Sequence, residues 1–346
     1  MDKFIQPIIT KKIMKNKKTI RFYCSASTKK IFSIQKFLRT DIILLKEIGY
    51  NVLLSTHWYD YLKFWTYDSS FIYFYRFGLI PAFLSKLFCK KVYFTGGIDF
   101  LNKETTPCKT YWIQCLFFKL CNIFSNTSIL VSDADIVNVK KISHNKLPSN
   151  CILSYHCLDL QTYNSEFTTK EKIITTIALM ERIENIQRKG VLRSIRAFAE
   201  FIKVHPEYTM YIIGKTGEGT TCVYELIKQL KLSSKIILTG SIPENEKINI
   251  LKRSEYYMQL SDYEGFGIAA LEALALGCKV IHSGKGGLKY IIGQWGYEIP
   301  NYNNAYDVSI LMDKLTTKEI NSKEVKEYLK RFSKSQRLSD FKKHIV

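Results

Sequence analysis

The sequence contains no pair of cysteines at C-x-x-C spacing, and its histidines and cysteines form no cluster at the spacing of a zinc site. Nine cysteines are present, an odd number, and we expect no secretory leader. These absences argue against a disulfide-bonded secreted protein and against a structural zinc site. We therefore expect reduced thiols in a reducing compartment, which means a cytoplasmic protein.

Long apolar runs are also absent. The basic N-terminal stretch, Met1 to Arg21, lacks the continuous apolar core of a signal peptide. The most apolar segment, Phe71 to Phe88, is interrupted by Arg76 and Lys86 and contains Pro81. This segment is too short and too charged for a membrane-spanning helix. The sequence thus predicts no transmembrane segment, and it shows no internal repeat and no low-complexity tract.

Acidic residues are scarce in the first part of the chain. The net charge is +20; residues 1–150 hold 23 Lys and Arg against 9 Asp and Glu, and the other residues hold 28 against 22. A basic half indicates an anionic partner such as nucleic acid, a phospholipid surface or a phosphorylated acceptor. No nucleic-acid recognition motif accompanies the charge, so we expect no nucleic-acid partner. The alternative is that the lysines serve only solubility.

Apolar runs of strand length alternate with longer amphipathic segments, a pattern typical of parallel α/β architecture. One cycle starts with the strand-like run Thr19–Ser25 and includes the run Lys91–Thr95, and a second starts near Lys172 and includes the run Lys279–His282. The pattern predicts two Rossmann-like domains that face each other across a cleft, with ligands at the carboxyl ends of the strands. We assign residues 1–160 to the first domain, 161–321 to the second, and 322–346 to a C-terminal helix that packs back on the first.

Residues suited to chemistry concentrate between Ser261 and Gly293. A predicted strand ends at Leu260, the loop Glu264-Gly265-Phe266-Gly267 follows, and a predicted helix carries Glu272 within its first two turns. Glycines after a strand let backbone N–H groups approach an anion, and a helix N-terminus adds partial positive charge. The eight-residue spacing of the glutamates would let them share one face and accept sugar and ribose hydroxyls. The alternative is turn-forming glycines and solvated glutamates.

This arrangement resembles the E-x7-E motif of the retaining glycosyltransferases of family 4, the group 1 family, whose fold is GT-B. The match runs from Glu264 to Glu272, with the Glu-Gly-Phe-Gly start and the Glu-Ala-Leu-Ala continuation. The resemblance implies that Glu264 contacts the donor sugar and Glu272 the ribose hydroxyls, while Gly265, Phe266 and Gly267 line the donor site. It also implies a UDP- or GDP-linked sugar as donor substrate, no cofactor and no required metal.

The resemblance extends upstream to two cations. Arg182 and Lys189-Gly190 fall where the family has an arginine and a Lys-Gly pair, which bind the donor diphosphate by charge-assisted contacts. Six residues, Ile183 to Arg188, separate them here, more than is usual in the family. Arg188 could therefore replace Lys189 in this role. The alternative is that these cations only cap a surface helix.

Two further turns resemble the family. Ile212-Ile213-Gly214 resembles its strand–glycine turn, and the loop Thr239 to Pro243 resembles the one near the nucleotide base. The resemblance places Gly214 and Ile242 in the donor site. A second glycine loop, Gly284 to Gly287, follows the next predicted strand and is also predicted to approach the ligand.

The N-terminal half departs from the family. Cys24-Ser25-Ala26-Ser27 stands where many relatives have a glycine pair. Thr95-Gly96-Gly97-Ile98-Asp99 stands where many have His-Gly-x-Asp, so the histidine that reaches the donor sugar is absent. Asp99 remains, and we predict it at the carboxyl end of a strand, in contact with acceptor or donor, with turn capping as the alternative. His57, also after a predicted strand, could replace the missing histidine.

Asp133-Ala134-Asp135 spells the D-x-D that metal-dependent glycosyltransferases of another fold use to hold a divalent cation. Oxygen ligands at that spacing suit a hard cation. A two-letter motif recurs by chance, however, and this copy lies where family 4 chains run from the last N-terminal strand into the interdomain connection. We therefore predict no metal site.

These observations together predict a retaining glycosyltransferase. It moves a hexose or N-acetylhexosamine from a nucleotide sugar to a saccharide acceptor, lipid-linked through a polyprenyl pyrophosphate, in surface polysaccharide synthesis. We expect Glu264, Lys189, Arg182 and Asp99 to act in catalysis. The aromatic cluster Tyr111, Trp112, Phe117 and Phe118 would hold the first domain against the inner face of the cell membrane. The alternative is that most of these aromatics belong to the core. A nucleotide-sugar epimerase or hydrolase and a noncatalytic glycan-binding relative are the alternatives.

Overall fold

The computed structural model describes residues 17–96, 98–163 and 169–345. Most of the basic stretch Met1 to Arg21, Gly97, and residues 164–168 just after the predicted domain boundary lie outside the described residues. The strands are β1 (Thr19–Cys24), β2 (Asn51–Ser55), β3 (Ser69–Tyr73), β4 (Lys91–Thr95), β5 (Thr127–Leu130), β6 (Cys151–Leu153), β7 (Glu171–Ile177), β8 (Thr209–Ile213), β9 (Ile236–Gly240), β10 (Ser254–Gln259), β11 (Lys279–His282) and β12 (Tyr297–Glu298).

The α-helices alternate with these strands. They are α1 (Ile31–Ile34), α2 (Lys36–Glu47), α3 (Tyr75–Leu87), α4 (Cys108–Phe124), α5 (Asp133–Ile142), α6 (Leu160–Tyr163), α7 (Ile183–Lys189), α8 (Val191–Phe201), α9 (Thr221–Gln229), α10 (Glu244–Arg253), α11 (Ile268–Ala275), α12 (Gly287–Ile291), α13 (Ala305–Leu315), α14 (Ser322–Leu329) and α15 (Lys334–His344).

The strands form two six-stranded sheets, ordered β2-β1-β3-β4-β5-β6 and β12-β11-β10-β7-β8-β9, with parallel pairing throughout. Parallel strands lie between two helix layers, which explains why every residue of β3 and of β10 is buried. The predicted parallel α/β architecture is therefore confirmed.

The second sheet has the strand order of the Rossmann fold, and the order reverses between its neighbouring strands β7 and β10. In open parallel sheets the crevice at this reversal, outside the carboxyl ends of the strands, is where ligands bind. The loop that follows β7 leads to the helix with Lys189, and the loop that follows β10 contains Glu264. The topology thus brings the two predicted donor-binding segments to one crevice.

The end of the chain differs from the single helix that the sequence predicted. Two helices are present, α14 and α15, and Ser333 begins the second by accepting a hydrogen bond from the amide of Gln336. Helix α15 packs on the first sheet. Its Phe341 is fully buried, and the centre of its ring lies 5.6 Å from the centre of the Phe71 ring. Arg337 of the same helix donates two hydrogen bonds of 2.7 Å to the carboxylate of Asp41.

The aromatic cluster in α4 is divided between core and surface. Tyr111 and Phe118 are buried in the core of the N-terminal half, and Phe117 is half-buried. Trp112 is 61% exposed. Trp112 is thus the most accessible of the four for contact with a membrane surface. Tyr111 and Phe118 instead fill the space between α3, α4 and the sheet, which is the alternative core position. Within the described residues, no helix has the length and apolarity needed to cross a bilayer.

Candidate functional site

The loops after β7 and β10 meet at a glycine. Gly190 has φ +71°, a conformation that favours glycine, and it separates α7 from α8. A Cβ at this position would overlap the carbonyl oxygen of Leu260, well inside van der Waals contact. The amide of Asp262 donates a 2.8 Å hydrogen bond to the carbonyl of Arg188 in the same contact. The Lys-Gly pair therefore lies directly against the loop that carries Glu264.

Lys189 and Glu264 form the centre of this crevice. The Lys189 ammonium donates to both Glu264 carboxylate oxygens at 2.6 Å. Glu264 Oε1 also accepts from Ser261 Oγ at 2.7 Å and from Gln259 Nε2 at 3.0 Å. With four donated hydrogen bonds, the buried carboxylate is held in one orientation.

The pKa of Glu264 reflects a balance of opposing effects. Burial alone would raise it, because a desolvated carboxylate favours its neutral form. The charge and hydrogen bonds of Lys189, the hydroxyl of Ser261 and the charge of Arg188 outweigh burial, so the pKa of Glu264 lies below its usual value. Glu264 is therefore an ionised carboxylate at neutral pH, suited to accept hydroxyl hydrogen bonds and unsuited to donate a proton.

The glycine loop leads directly into α11. Gly267 precedes this eight-residue helix with φ +88°, and no side chain caps the helix N-terminus. The first amides of α11 are thus directed toward the cleft without a side-chain acceptor, as in anion-binding sites. Glu264 lies in the loop before the helix and Glu272 inside it, so the predicted shared helical face is wrong.

Asp99 joins the site from the N-terminal half. It follows β4, as predicted, and a Cβ at Gly265 would overlap its Oδ1. That oxygen is buried and has no hydrogen-bond partner. Burial, followed by the neighbouring charge of Glu264, raises the pKa of Asp99 above its usual value. Asp99 therefore lies against the loop Glu264 to Gly267, and its Oδ1 has no hydrogen-bond partner.

Glu272 is also buried, with two lysines as partners. Its Oε1 accepts from Lys36 Nζ and its Oε2 from Lys247 Nζ, each at 2.6 Å. Lys247 comes from α10, but Lys36 is the first residue of α2 in the N-terminal half. Nothing in the local sequence pattern had indicated Lys36, because a lysine at the start of an amphipathic helix is ordinary.

The structure does not bring Arg182 to Lys189. Arg182 is exposed and precedes α7, and Lys189 ends that seven-residue helix, so roughly 10 Å of helix axis separates them. Arg188 is closer to the centre: it donates a 3.1 Å hydrogen bond to the Tyr263 carbonyl, and its charge lowers the pKa of Glu264. The extra residues between the two predicted cations are thus accommodated as a separate helix.

The remaining predicted donor-site residues lie around the crevice. Gly214 follows β8 with φ +147°, and a Cβ there would overlap the carbonyl oxygen of Ala178. Ile242 is half-buried in the loop between β9 and α10. The second glycine loop supports the first, because the amide of Gly287 donates a 2.6 Å hydrogen bond to the Glu264 carbonyl. Gly284 to Gly287 do not line the cleft itself.

A different histidine from His57 lies in the cleft. His57 is exposed after edge strand β2, where its ring stacks on Tyr59 at 4.9 Å. His156 lines the cleft, with its ring between Phe37 at 5.5 Å and Phe266 at 5.4 Å. Burial, and then the positive charge of Arg337, lowers the pKa of His156 to about 3. His156 is thus a neutral imidazole at physiological pH.

The D-x-D pair serves the N-terminal half of the fold. Asp135 is fully buried, and its Oδ2 accepts a 3.0 Å hydrogen bond from the amide of Val131. Asp133 accepts a 2.7 Å hydrogen bond from the hydroxyl of Tyr155. Across residues 17–96, 98–163 and 169–345, no three His, Cys, Asp or Glu side chains are arranged to hold a metal ion. The two aspartates therefore have different hydrogen-bond partners, both within the N-terminal half.

The assembled cleft has a volume of about 280 Å³. Both halves line it: the N-terminal half contributes Phe37, Tyr73, Phe74, Gly96, Asp99, Val131 and His156, and the C-terminal half contributes Arg188, Lys189, Gln259, Glu264, Gly265, Phe266, Gly267, Ile268 and Ala269. Cations, an ionised carboxylate, helix amides and aromatic walls in one crevice suit a ligand with a phosphate and hydroxyl groups.

Comparison with known proteins agrees with this chemistry. Residues 165–335 match the family model described as glycosyl transferases group 1. An N-acetylgalactosamine-N,N'-diacetylbacillosaminyl-diphospho-undecaprenol 4-alpha-N-acetylgalactosaminyltransferase from Campylobacter jejuni is 25% identical, over 69% of this chain and 65% of the relative. The serotype-specific mannosyltransferase WbdA from Escherichia coli is 25% identical, over 51% of this chain and 21% of the relative. This chain thus spans less than two thirds of either relative.

A solved structure, Anabaena Alr3699/HepE in complex with UDP and glucose, superposes with a TM-score of 0.72 at 14% identity and covers 95% of this chain and 99% of its own. This similarity shows the fold, which is GT-B, as the sequence resemblance implied. The family match, the named relatives and the shared fold agree, and through residues 165–335 this chain belongs to the glycosyl transferases of group 1.

Proposed function

We propose that this protein is a retaining glycosyltransferase that moves a hexose or N-acetylhexosamine from a UDP- or GDP-linked sugar to a saccharide acceptor. The observation that carries the proposal is the Lys189–Glu264 pair at the strand-order reversal. A cation for a diphosphate and an ionised acceptor for sugar hydroxyls lie there side by side, next to the unpaired amides of α11.

The bond changes of the proposed step need no protein nucleophile. The bond between the anomeric carbon and the diphosphate oxygen breaks, the acceptor oxygen bonds to that carbon on the same face, and the acceptor proton passes to the departing diphosphate. Lys189, Arg188 and the α11 amides stabilise the charge that develops on the leaving group. Glu264 orients the sugar, Glu272 orients the ribose, and Asp99 contacts the transferred sugar or the acceptor.

These cations and amides also supply the positive charge that a metal ion would otherwise provide. We therefore propose that transfer requires no metal and no cofactor. Transfer that is unchanged in excess EDTA supports this part of the proposal. Activity that is lost in EDTA and restored by Mg²⁺ or Mn²⁺ contradicts it.

A larger cavity beside the cleft suits the acceptor. It has a volume of about 390 Å³ in the N-terminal half, between the start of α3 and α4. It shares Phe74 and Asp99 with the cleft, and the rest of its lining is mainly apolar: Tyr75, Phe77, Ile98, Phe100, Leu101 and Phe118, with Arg76 and Gln114. An apolar cavity with an arginine suits an acceptor that carries both apolar and phosphate groups.

The surface of α3 and α4 supports a lipid-linked acceptor. The two helices pack together and carry the exposed apolar side chains Phe77, Ile80, Phe83, Leu87, Trp112, Ile113, Leu116 and Ile123. Neither helix contains an acidic residue, and together they carry four basic ones, Arg76, Lys86, Lys109 and Lys119. Apolar side chains among basic residues are typical of proteins that lie on an anionic membrane surface.

We therefore propose a polyprenyl-pyrophosphate-linked acceptor, peripheral contact with the inner face of the cell membrane, and a role in surface polysaccharide synthesis. The name of the Campylobacter jejuni relative, which includes diphospho-undecaprenol, supports this choice of acceptor. The exposed aromatic and basic residues of α3 and α4 would bring Asp99 and the cleft to acceptors held at the bilayer.

The first test is thermal stabilisation of the purified protein by a panel of nucleoside diphosphates and nucleotide sugars. Saturable stabilisation by one base, weakened in Glu272→Ala, supports the donor site and identifies the donor class. Absence of any shift favours a noncatalytic glycan-binding relative. If donor is consumed without an acceptor, the protein is a hydrolase or epimerase, and inverted anomeric configuration in an NMR spectrum of the product contradicts retention.

The membrane contact is tested by flotation with vesicles that contain phosphatidylglycerol. We expect binding that weakens from 50 mM to 500 mM salt and that Trp112→Ser reduces, because screening and loss of an apolar contact both weaken adsorption. Tyr306→Ser is the matched control, since Tyr306 is equally exposed, at 61%, in the C-terminal half. Binding that neither salt nor Trp112→Ser changes contradicts the proposal.

A further inference from the structure

Lys36 reaches the predicted ribose carboxylate from the opposite domain. Its ammonium donates a 2.6 Å hydrogen bond to Oε1 of Glu272, although 236 residues separate the two. Lys36 begins α2 on the first sheet, and Glu272 lies in α11 on the second. The contact therefore exists only while the two domains face each other.

The surroundings of this contact are balanced in charge. Lys247 donates to the other carboxylate oxygen, Oε2, at 2.6 Å, and Glu244 accepts from Lys247 at 3.0 Å and from Lys36 at 3.3 Å. The hydroxyl of Tyr163 donates to Glu244 at 2.8 Å, and the Lys36 ammonium lies 4.8 Å from the centre of the Tyr163 ring. Two ammonium groups thus match two carboxylates, and every charge has a partner.

Burial makes these partners necessary. The Glu272 side chain is only 3% exposed, and a carboxylate so far from water is strongly destabilising unless cations or hydrogen bonds compensate for the lost hydration. Each carboxylate oxygen has about two lone-pair directions, and one lysine occupies one of them. With one lysine on each oxygen, the carboxylate is held in a single orientation.

We propose that Lys36 is a positioning residue for the nucleotide ribose, which acts through Glu272 and completes the donor site from the N-terminal domain. The inference rests on the proposed function, because it takes Glu272 as the acceptor of the ribose hydroxyls. Lys36 orients one carboxylate oxygen and Lys247 the other. The ribose is then recognised only in the closed arrangement of the two domains.

The experiment measures the affinities of two ligands for the wild-type protein and for variants of Lys36. The ligands are the nucleoside diphosphate that binds the wild-type protein and its 2′,3′-dideoxy analogue, each titrated by calorimetry. We expect Lys36→Met to weaken the ribonucleotide about tenfold, the effect of one charge-assisted hydrogen bond, and to leave the dideoxy analogue unchanged. Lys36→Arg keeps the charge and is expected to restore part of the affinity.

Lys334→Met is the matched control. Lys334 pairs with Glu47 between α15 and the N-terminal half, so its removal breaks another Lys–Glu ion pair, one that lies at the surface and away from the cleft. We expect its affinities to equal those of the wild type. Equal weakening of both ligands by Lys36→Met, or no weakening of either, overturns the role assigned to Lys36. If the wild type binds no nucleoside diphosphate at all, the proposed function itself fails.

Discussion

Lys189 and Glu264 neutralise each other across the crevice where the strand order of the second sheet reverses. The ammonium lies 2.6 Å from both carboxylate oxygens, although 75 residues separate the two side chains in sequence. Lys189 keeps Glu264 ionised by lowering its pKa, and the hydrogen bonds between them hold both side chains in orientation. A bound diphosphate and sugar hydroxyls would take over these contacts without a large rearrangement, which is the property of a preorganised site.

The first prediction concerns Lys189. We expect Lys189→Met to lower kcat about 10²- to 10³-fold, because the ammonium would stabilise charge on the departing diphosphate. Initial-rate measurements at saturating donor provide the readout. Lys228→Met, at an exposed position of α9, is the matched control and should retain full activity. A kcat within twofold of the wild type for Lys189→Met would exclude this lysine from leaving-group stabilisation.

A second prediction follows from the lowered pKa of Glu264. An ionised Glu264 stabilises the folded state above the pKa that glutamate has in the unfolded chain, about 4.3, and this contribution is lost as pH falls through the lower folded pKa. Glu264→Gln lacks the titrating group. The difference in free energy of unfolding between wild type and Glu264→Gln should therefore be constant from pH 6 to pH 8 and shrink below about pH 4.

Urea denaturation at each pH gives this difference. Glu319→Gln, at an exposed carboxylate outside the cleft, is the control and should show little change with pH. A difference that grows as the pH falls would mean that the folded pKa of Glu264 is raised, contrary to the charge of Lys189 beside it.

The third prediction separates close contact from backbone strain. Gly190→Ala should destabilise the protein by about 3 kcal/mol or more, since the positive φ disfavours alanine by about 1–2 kcal/mol and the new methyl group overlaps the Leu260 carbonyl. Gly49→Ala is the comparison, because Gly49 has φ +103° and no atom within 4 Å of a Cβ. Chemical denaturation of both variants gives the two free energies. Equal losses would mean that the contact with Leu260 adds nothing.

The fourth prediction concerns the C-terminal helix. Arg337 and Asp41 are each 1% exposed, so Arg337→Met leaves a buried carboxylate without its cation. We expect a loss of about 3–5 kcal/mol in the free energy of unfolding, by urea denaturation. The double variant Asp41→Leu, Arg337→Met should recover much of this loss, because no unpaired charge remains. Arg331→Met, on the same segment but exposed at the surface, is the control.

The sequence predicted the elements with continuous apolar runs well. The predicted strands Lys91–Thr95 and Lys279–His282 coincide with β4 and β11, whose central residues are buried on both faces. The C-terminal tail was less well predicted, because the single predicted helix is divided into α14 and α15 before Ser333. Ser333 and Gln336 have the spacing of a helix N-cap with its box, a signal that is present in the sequence.

The sequence indicated which candidate site residues lie together when they belong to one loop or follow one strand end. Glu264, the glycines that follow it and Lys189 all converge on the crevice, because parallel strands carry their following loops to one edge. Arg182 lies apart from Lys189, since a seven-residue helix separates them. Lys36 and His156 were missed because each reaches the site through the facing of the domains, which no local pattern encodes.

The sequence by itself determined the alternation of strands and helices, the glycine turns at the strand ends, and the pair of carboxylates at Glu264 and Glu272. These properties depend on local periodicity and on backbone conformations that only glycine adopts readily. The tertiary structure alone decided that Lys189 faces Glu264, that Lys36 faces Glu272, and that Arg337 buries against Asp41. Ion pairs between residues far apart in sequence depend on how the packed layers approach each other. A lysine or an arginine can remain in water, and only the tertiary structure shows whether a buried carboxylate lies within its reach.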